Sequence, residues 1–312
     1  MNAPAATPPA APVPVTATVP DIAAFAGLWR EGWVAVRVRG HGAAAADPAV
    51  ANAVRGAIGW RLMEGASAEA RREEPCPWQP PCTLDWLFRD QARMAGDGRP
   101  VPKPVMIAVD AVDGDLLVRI SLAGAAAERL HEVQAALVAG LRGGLSRPGM
   151  ADGLDVIGRY MGWSDADGIP LPAICQAPDR LVSVALDLLT PLALRRGGAM
   201  VQDPQGLLGA LAGRINGLAL WHGVAIDEPH DSVRSRSAGA IWDASDCRMH
   251  TWQRRAGKDQ RPAVAMAGLI GRLVIHQVPA ALLPVLVVGQ ATHAGSHAAL
   301  GLGRYRLMID DR

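Results

Sequence analysis

The sequence predicts an α+β protein built from two tandem ferredoxin-like (RRM-like) domains, with a C-terminal glycine-rich loop. Three observations predict it. Strand-like and helix-like patterns follow one another as β-α-β-β-α-β through residues 21–165. The same order returns, more loosely, through residues 180–312. Between them, residues 166–179 carry prolines and read as a linker.

The chain opens on Ala, Pro, Thr and Val with almost no charge, so residues 1–20 read as a disordered or polyproline-like tail. Trp33 to Arg39 alternates and is rich in valine, which predicts a strand. Gly40-His41-Gly42 follows, and Asp47 or Pro48 starts a helix over Val50 to Met63. Residues 65–104 hold Pro, Arg, Glu and Cys without periodicity and read as an irregular insertion. Val105 to Val109 and Leu116 to Leu122 are two strands joined by a turn at Val112-Asp-Gly-Asp115. A helix over Ala123 to Leu141 and a strand over Leu154 to Trp163 complete the first unit.

In the second unit, Leu181 to Leu188 is a strand. Asp203 caps a helix from Pro204 to about Trp221, with Leu207, Leu208, Leu211, Ile215 and Leu218 on one face. A basic segment, 232–261, holds a strand around Arg248 to Arg254. Ala263 to Val274 is a straight or bent strand, Ala280 to Gln290 a helix, residues 293–303 the glycine-rich loop, and Arg304 to Ile309 the last strand.

Composition limits the function. Half of the 312 residues are hydrophobic, enough for two modest cores. The net charge of +1 excludes a uniformly basic protein, yet residues 1–180 carry −3 and residues 181–312 carry +4. Segment 232–261 alone has seven basic against three acidic groups, so a polyanion favours the C-terminal half. Of the 31 basic residues only Lys103 and Lys258 are lysines. Arginine suits bidentate phosphate contact, although abundant Ala, Gly and Pro also mark a GC-rich genome. The four cysteines are spaced irregularly and suggest no secreted disulfide framework. The start lacks the features of a signal peptide. The most apolar stretch, Ala263 to Gly289, is broken by Arg272, His276 and Gln277, so neither side reaches the ~18 apolar residues of a spanning helix. A cytoplasmic protein without membrane contact is the expectation.

Four stretches together resemble a known family. Asn52-Ala-Val-Arg-Gly-Ala-Ile-Gly-Trp-Arg-Leu62 is similar to an early Leu-Arg-Gly-Ala helix. Cys76-Pro77 through Cys82-Thr-Leu-Asp-Trp-Leu-Phe88 resembles a Cys-rich insertion before a Leu-Phe pair. Leu186-Asp-Leu-Leu-Thr-Pro-Leu-Ala-Leu194 resembles a strand running into Thr-Pro, and His293 to Leu307 a closing glycine-rich loop. The family is that of the CRISPR-associated endoribonucleases that cut repeat RNA into guide RNAs, within the repeat-associated mysterious protein superfamily. The resemblance implies binding of a repeat stem-loop and metal-independent cleavage by 2′-hydroxyl attack on the adjacent phosphate. It implies guide RNA and other effector-complex subunits as partners, and no cofactor. A non-catalytic guide-RNA-binding subunit of the same superfamily is the alternative, and a divergent type IV system is a further implication.

Metal-free scission needs a base for the 2′-OH, an acid for the 5′-oxygen and cations for the crowded phosphorane. The family's histidine between first strand and first helix falls on His41, which is either the general base or a surface loop histidine. The family's usual Lys or Tyr nearby is absent, which passes the acid or electrostatic role to Arg39 and Arg55. RNA contact is expected from Arg37, from Arg234, Arg236, Arg248, Arg254, Arg255, Lys258 and Arg261, and from His293, His297, Gly301, Gly303 and Arg304. Arg304 reads as an RNA contact or a structural ion pair, His293 also as a helix C-cap, and Tyr305 as core. Trp242 and Trp252 are stacking or core residues, and His131, His222, His230, His250 and His276 are structural. Cys76, Cys82, Cys247 and His250 make a conceivable zinc set, but the Cys-x5-Cys spacing misses the usual gap of about two to four. Structural or reduced cysteines, and no metal, are the expectation.

Overall fold

The computed structural model describes residues 13–89, 100–164, 167–196, 199–201, 203–254 and 263–310. The tail expected over residues 1–20 is contradicted at its end. Ala17–Val19 forms a strand (β1), and residues 1–12 lie outside the described residues. A short helix, α1 (Ile22–Ala26), follows under an Asp21 cap whose Oδ1 accepts from the Ala24 N–H at 2.8 Å.

The first unit has the predicted order. β2 (Glu31–His41) buries Val34, Val36 and Val38 on one face and turns Trp33 and Arg37 to the other, as its alternation requires. Helix α2 (Ala49–Leu62) puts Val50, Val54, Ile58 and Leu62 on one buried stripe. The insertion is irregular but holds a short helix, α3 (Ala68–Arg71), and a π-helical turn over Leu84–Phe88. Strands β3 (Val105–Val112) and β4 (Asp115–Ala123) form a hairpin whose two turn residues, Asp113 and Gly114, have φ of 52° and 80°. Two consecutive positive φ values are what a two-residue type I′ hairpin demands, which explains the Asp-Gly. Helix α4 (Leu130–Arg142) follows a 3₁₀ turn and buries Leu130, Val133, Leu137 and Leu141. Strand β5 (Val156–Trp163) closes a sheet in the order β3-β4-β2-β5, the ferredoxin-like order, with α2 and α4 packed against each other.

The second unit repeats it. β6 (Leu181–Leu192) runs four residues past the expected end, followed by the small hairpin β7 (Leu194–Arg196) and β8 (Ala199–Val201). Asp203 caps as expected, its Oδ1 accepting from the Gln205 N–H at 2.9 Å. Helix α5 (Leu207–Ala219) then buries the predicted stripe of Leu207, Leu208, Leu211, Ile215 and Leu218. β9 (Val224–Ile226) pairs in parallel with β1, tying the N-terminal segment to the second unit.

The basic segment departs from expectation. Its start is a helix, α6 (His230–Arg236), and only then comes the strand β10 (Ile241–Arg254). β11 (Val264–Pro279) reaches five residues beyond Val274, bending at Gly271 and Gln277, where φ is 128° and 56°. Helix α7 (Leu283–Thr292) and β12 (Tyr305–Asp310) finish a sheet ordered β10-β11-β6-β12, again ferredoxin-like.

One apolar core runs through both units, from Val36 and Ile120 to Leu186 and Leu286. Each large aliphatic side chain withdrawn in this way contributes about 1.5–3 kcal/mol. Among the described residues no helix is long and apolar enough to cross a membrane. Tyr305 is core, as expected, and its hydroxyl donates to the Leu286 carbonyl at 2.6 Å. Tyr305→Phe is expected to cost about 1 kcal/mol in chemical denaturation by removing that buried donor. An unchanged midpoint would show that the hydroxyl is energetically idle.

A cationic interdomain cavity and the His41 corner

His41 ends β2 at a corner. Gly40 and His41 both take left-handed backbone, with φ of 65° and 61°, and the β2–β4 register slips between Val38 and His41. A non-glycine residue held there is strained, and such strain gathers at functional sites. Asp115 builds the corner. Its Oδ1 accepts from the Gly40 N–H at 2.8 Å, and its Oδ2 from Arg37 Nε at 2.6 Å. These bonds, led by the Gly40 amide and then Arg37, hold the Asp115 carboxyl below its usual range. The Gly42 N–H donates to the Gly114 carbonyl at 3.0 Å, so strand end and hairpin turn are locked together. The His41 side chain is exposed.

The arginines expected beside His41 are committed elsewhere. Arg37 also reaches Asp113 at 3.4 Å, and Arg39 Nε donates to Asp155 Oδ2 at 2.8 Å. Arg37 therefore reads as a brace of the corner rather than an RNA contact, and Arg39 as half of an exposed ion pair. Arg55 lies on α2, one turn beyond Ala51. It donates to the Phe88 carbonyl at 3.0 Å and covers the Phe88 ring at 5.5 Å. It lines a cavity to which His41 does not contribute.

That cavity, about 600 Å³, lies where the two units meet. Arg55 from α2, Arg89 and Lys103 from the insertion, Arg214 from α5, Arg254 from the end of β10 and His297 from the glycine-rich loop all line it. Among the described residues no carboxylate does. Lys103 Nζ donates to the same Phe88 carbonyl as Arg55, at 3.0 Å. A lysine distant in sequence thus stands beside the Arg55 helix. Arg89, Lys103 and Arg214 were not singled out by the sequence, though Arg214 left a signal. It sits three residues after Leu211 and four before Leu218, on the apolar stripe itself.

The glycine-rich loop is less open than its composition suggests. The N–H groups of Ala294, Ser296, Leu300, Gly301 and Gly303 donate to backbone carbonyls of Gly303, Ala193, His297, Ala298 and Pro191. A nest for anions needs those donors free, so Gly301 and Gly303 are packing residues rather than RNA contacts. At Gly301 a Cβ would stand 2.5 Å from the Ala51 Cβ, so glycine lets the loop press on α2. His293 caps α7 with φ of 59° and is buried. Burial first, then the Arg304 and Arg214 charges, push its imidazole well below the usual range and keep it neutral. It cannot act as a phosphate cation. Arg304 resolves as the ion pair, its two Nη atoms each 3.1 Å from an oxygen of Asp110 on β3, so it bolts one unit to the other. His297 remains a site candidate, half-buried, with its pKa lowered by burial and by Arg195 and Arg254.

The remaining expected contacts scatter. Arg234 and Arg236 are exposed on α6, with Arg236 paired to Glu228, and neither lines the cavity. Arg248 is exposed on the edge strand β10, whereas Arg254 turns into the cavity. Arg255, Lys258 and Arg261 lie outside the described residues. Cys76 Sγ accepts from the Cys82 N–H at 3.3 Å, and no described group of His, Cys, Asp and Glu is arranged to hold a metal.

Two ferredoxin-like units, one core and a cationic cavity lined from both of them define a tandem RRM-like protein. Residues 186–305 match the family of the CRISPR-associated endoribonuclease Cas6. Two solved structures share the fold. The Cas6 (TTHA0078) product complex has 18% identity and a TM-score of 0.51, covering 90% of this chain and 99% of that one. The Thermus thermophilus Cas6 (TTHB231) product complex has 14% identity and a TM-score of 0.50, covering 89% and 99%. No curated protein matches the sequence. Over residues 186–305 the chain is similar to Cas6, and the two solved structures share its fold, in keeping with the resemblance carried by the four sequence stretches.

Proposed function

We propose that this protein is a repeat-processing endoribonuclease that binds CRISPR repeat stem-loops and cuts precursor RNA into guide RNAs without a metal. The observation that carries the reading is the exposed His41, held in left-handed backbone at the strand-to-helix corner of a Cas6-like fold. His41 takes the proton of a 2′-hydroxyl. The 2′-oxygen attacks the neighbouring phosphorus, the bond to the 5′-oxygen breaks, and that oxygen leaves with a proton. The products are an RNA ending in a 2′,3′-cyclic phosphate and one beginning with a 5′-hydroxyl. We place the work in a first unit over residues 21–165 and a second over 180–312, joined by 166–179, in the cytoplasm, with the guide RNA retained and passed to effector subunits.

Purified protein in EDTA is expected to cut its repeat RNA to a 5′ product ending in a cyclic phosphate or 3′-phosphate, read by gel mobility before and after phosphatase treatment. Intact RNA under tight binding sinks the enzyme. One observation favours the other reading, a non-catalytic guide-RNA-binding subunit: Arg37 and Arg39, the cations nearest His41 in sequence, are held by Asp115 and Asp155. The same assay separates the two.

A further inference from the structure

Burying cations together without carboxylates is costly unless something compensates them. At the interdomain cavity Arg214 is such a buried cation, and Arg254 and His297 from separate elements stand at the same wall. Three polar atoms of its lining residues are out of solvent and, among the described residues, have no hydrogen-bond partner: Nη2 of Arg214, Nε of Arg254 and Nε2 of His297. Arg214 is anchored through its Nε, which donates to the Thr292 carbonyl at 2.7 Å. Burial lowers its pKa to about 10, so it stays charged at neutral pH. A guanidinium fixed at one nitrogen and unsatisfied at another is set for an oxyanion, because the planar fork matches phosphate.

We propose that this cavity is a phosphate seat, in which Arg214, Arg254 and His297 hold one backbone phosphate of the bound RNA. The assignment rests on the RNA-processing reading. Because His41 does not line the cavity, the seated phosphate is not the one that is cut. The seat therefore acts on affinity and register rather than on the bond-breaking step. The insertion contributes Lys103 as an outer cation, which gives the segment between α2 and β3 a role in holding the strand, whereas Arg89 at the same wall is paired with Glu73 at 3.0 Å.

The test uses the full-length protein and fluorescently labelled repeat RNA, with anisotropy measured across a salt series. Arg254→Gln and Arg214→Met are each expected to weaken binding roughly 10-fold and to flatten the salt dependence by about 0.7 per lost phosphate contact. Because Arg214 also holds the Thr292 carbonyl, Arg254→Gln on the strand end keeps the test sound should the other variant misfold. Inorganic phosphate is expected to raise the wild-type melting temperature over chloride at equal ionic strength, to compete with RNA, and to do neither in Arg254→Gln. Unchanged affinity and salt slope in folded Arg254→Gln overturn the seat while leaving the nuclease standing. Phosphate that stabilises without displacing RNA overturns the RNA assignment in favour of a free-phosphate site. A wild type that does not bind repeat RNA removes the function and the seat together.

Discussion

His41→Ala is expected to slow repeat cleavage by about 10²–10⁴-fold while tight RNA binding is retained. That range is what a positioned general base contributes. Among the described residues the His41 side chain makes no capping bond, and it is exposed, so its removal leaves little structural debt. Loss of stability should stay near the ordinary ±0.5 kcal/mol of a surface change, apart from the cost of a left-handed alanine. Single-turnover cleavage beside anisotropy separates chemistry from binding. Cutting at the wild-type rate would move the base away from this corner. Lost binding would make His41 a contact residue. Asp115→Asn gives a second handle on the same geometry. It keeps an acceptor for the Gly40 amide but weakens the grip on Arg37, so it should slow cleavage less than His41→Ala and more than a distant surface change.

The fold was largely legible because both units write their periodicities plainly. Alternating valines around β2 and the Asp-Gly turn between β3 and β4 leave few other arrangements. The 3.6-residue stripe of α5 does the same for the second unit. The departures have local causes. Ala17–Val19 is a strand only because Val224–Ile226 offers a parallel partner more than 200 residues away, which composition cannot show. The start of the basic segment reads as surface charge, yet Val233 is buried and draws α6 onto α5.

The site was legible only in part, since charge in a sequence carries no information on who pairs with whom. Arg37, Arg39 and Arg304 looked alike in sequence. Distances assign all three to carboxylates: Asp115, Asp155 and Asp110. Arg55, Arg254 and His297, also named from sequence, do converge, though on a cavity that His41 does not share. The loop misled for a related reason. Glycines that allow a backbone to approach a ligand equally allow it to approach another backbone. Here the N–H groups of Gly301 and Gly303 show which occurred at those two positions, because they already have partners.

Gly303→Ala is expected to be among the most damaging single changes, at about 3–5 kcal/mol by chemical denaturation. Three costs add. The residue has φ of 73°, where an L side chain loses about 1–2 kcal/mol. A Cβ would lie only 1.8 Å from the Ala294 carbonyl oxygen, so backbone must move. The movement breaks two bonds that clamp the loop: Gly303 N–H to the Pro191 carbonyl at 3.0 Å, and Ala294 N–H to the Gly303 carbonyl at 2.8 Å. Each contributes about 1 kcal/mol. Against a typical stability of about 5–15 kcal/mol, such a loss leaves a marginal protein. It should also loosen His297 and the Arg304–Asp110 bolt, both carried by the same loop, and so weaken RNA binding. Gly56→Ala is the control: Gly56 sits in α2, and beyond its chain neighbours and its own helix backbone no described atom lies within 4 Å of the added methyl. There the helix interior should gain roughly 0.5–1 kcal/mol. If Gly303→Ala instead unfolds at the wild-type midpoint, the loop is not clamped, and its backbone donors are again free to meet a phosphate.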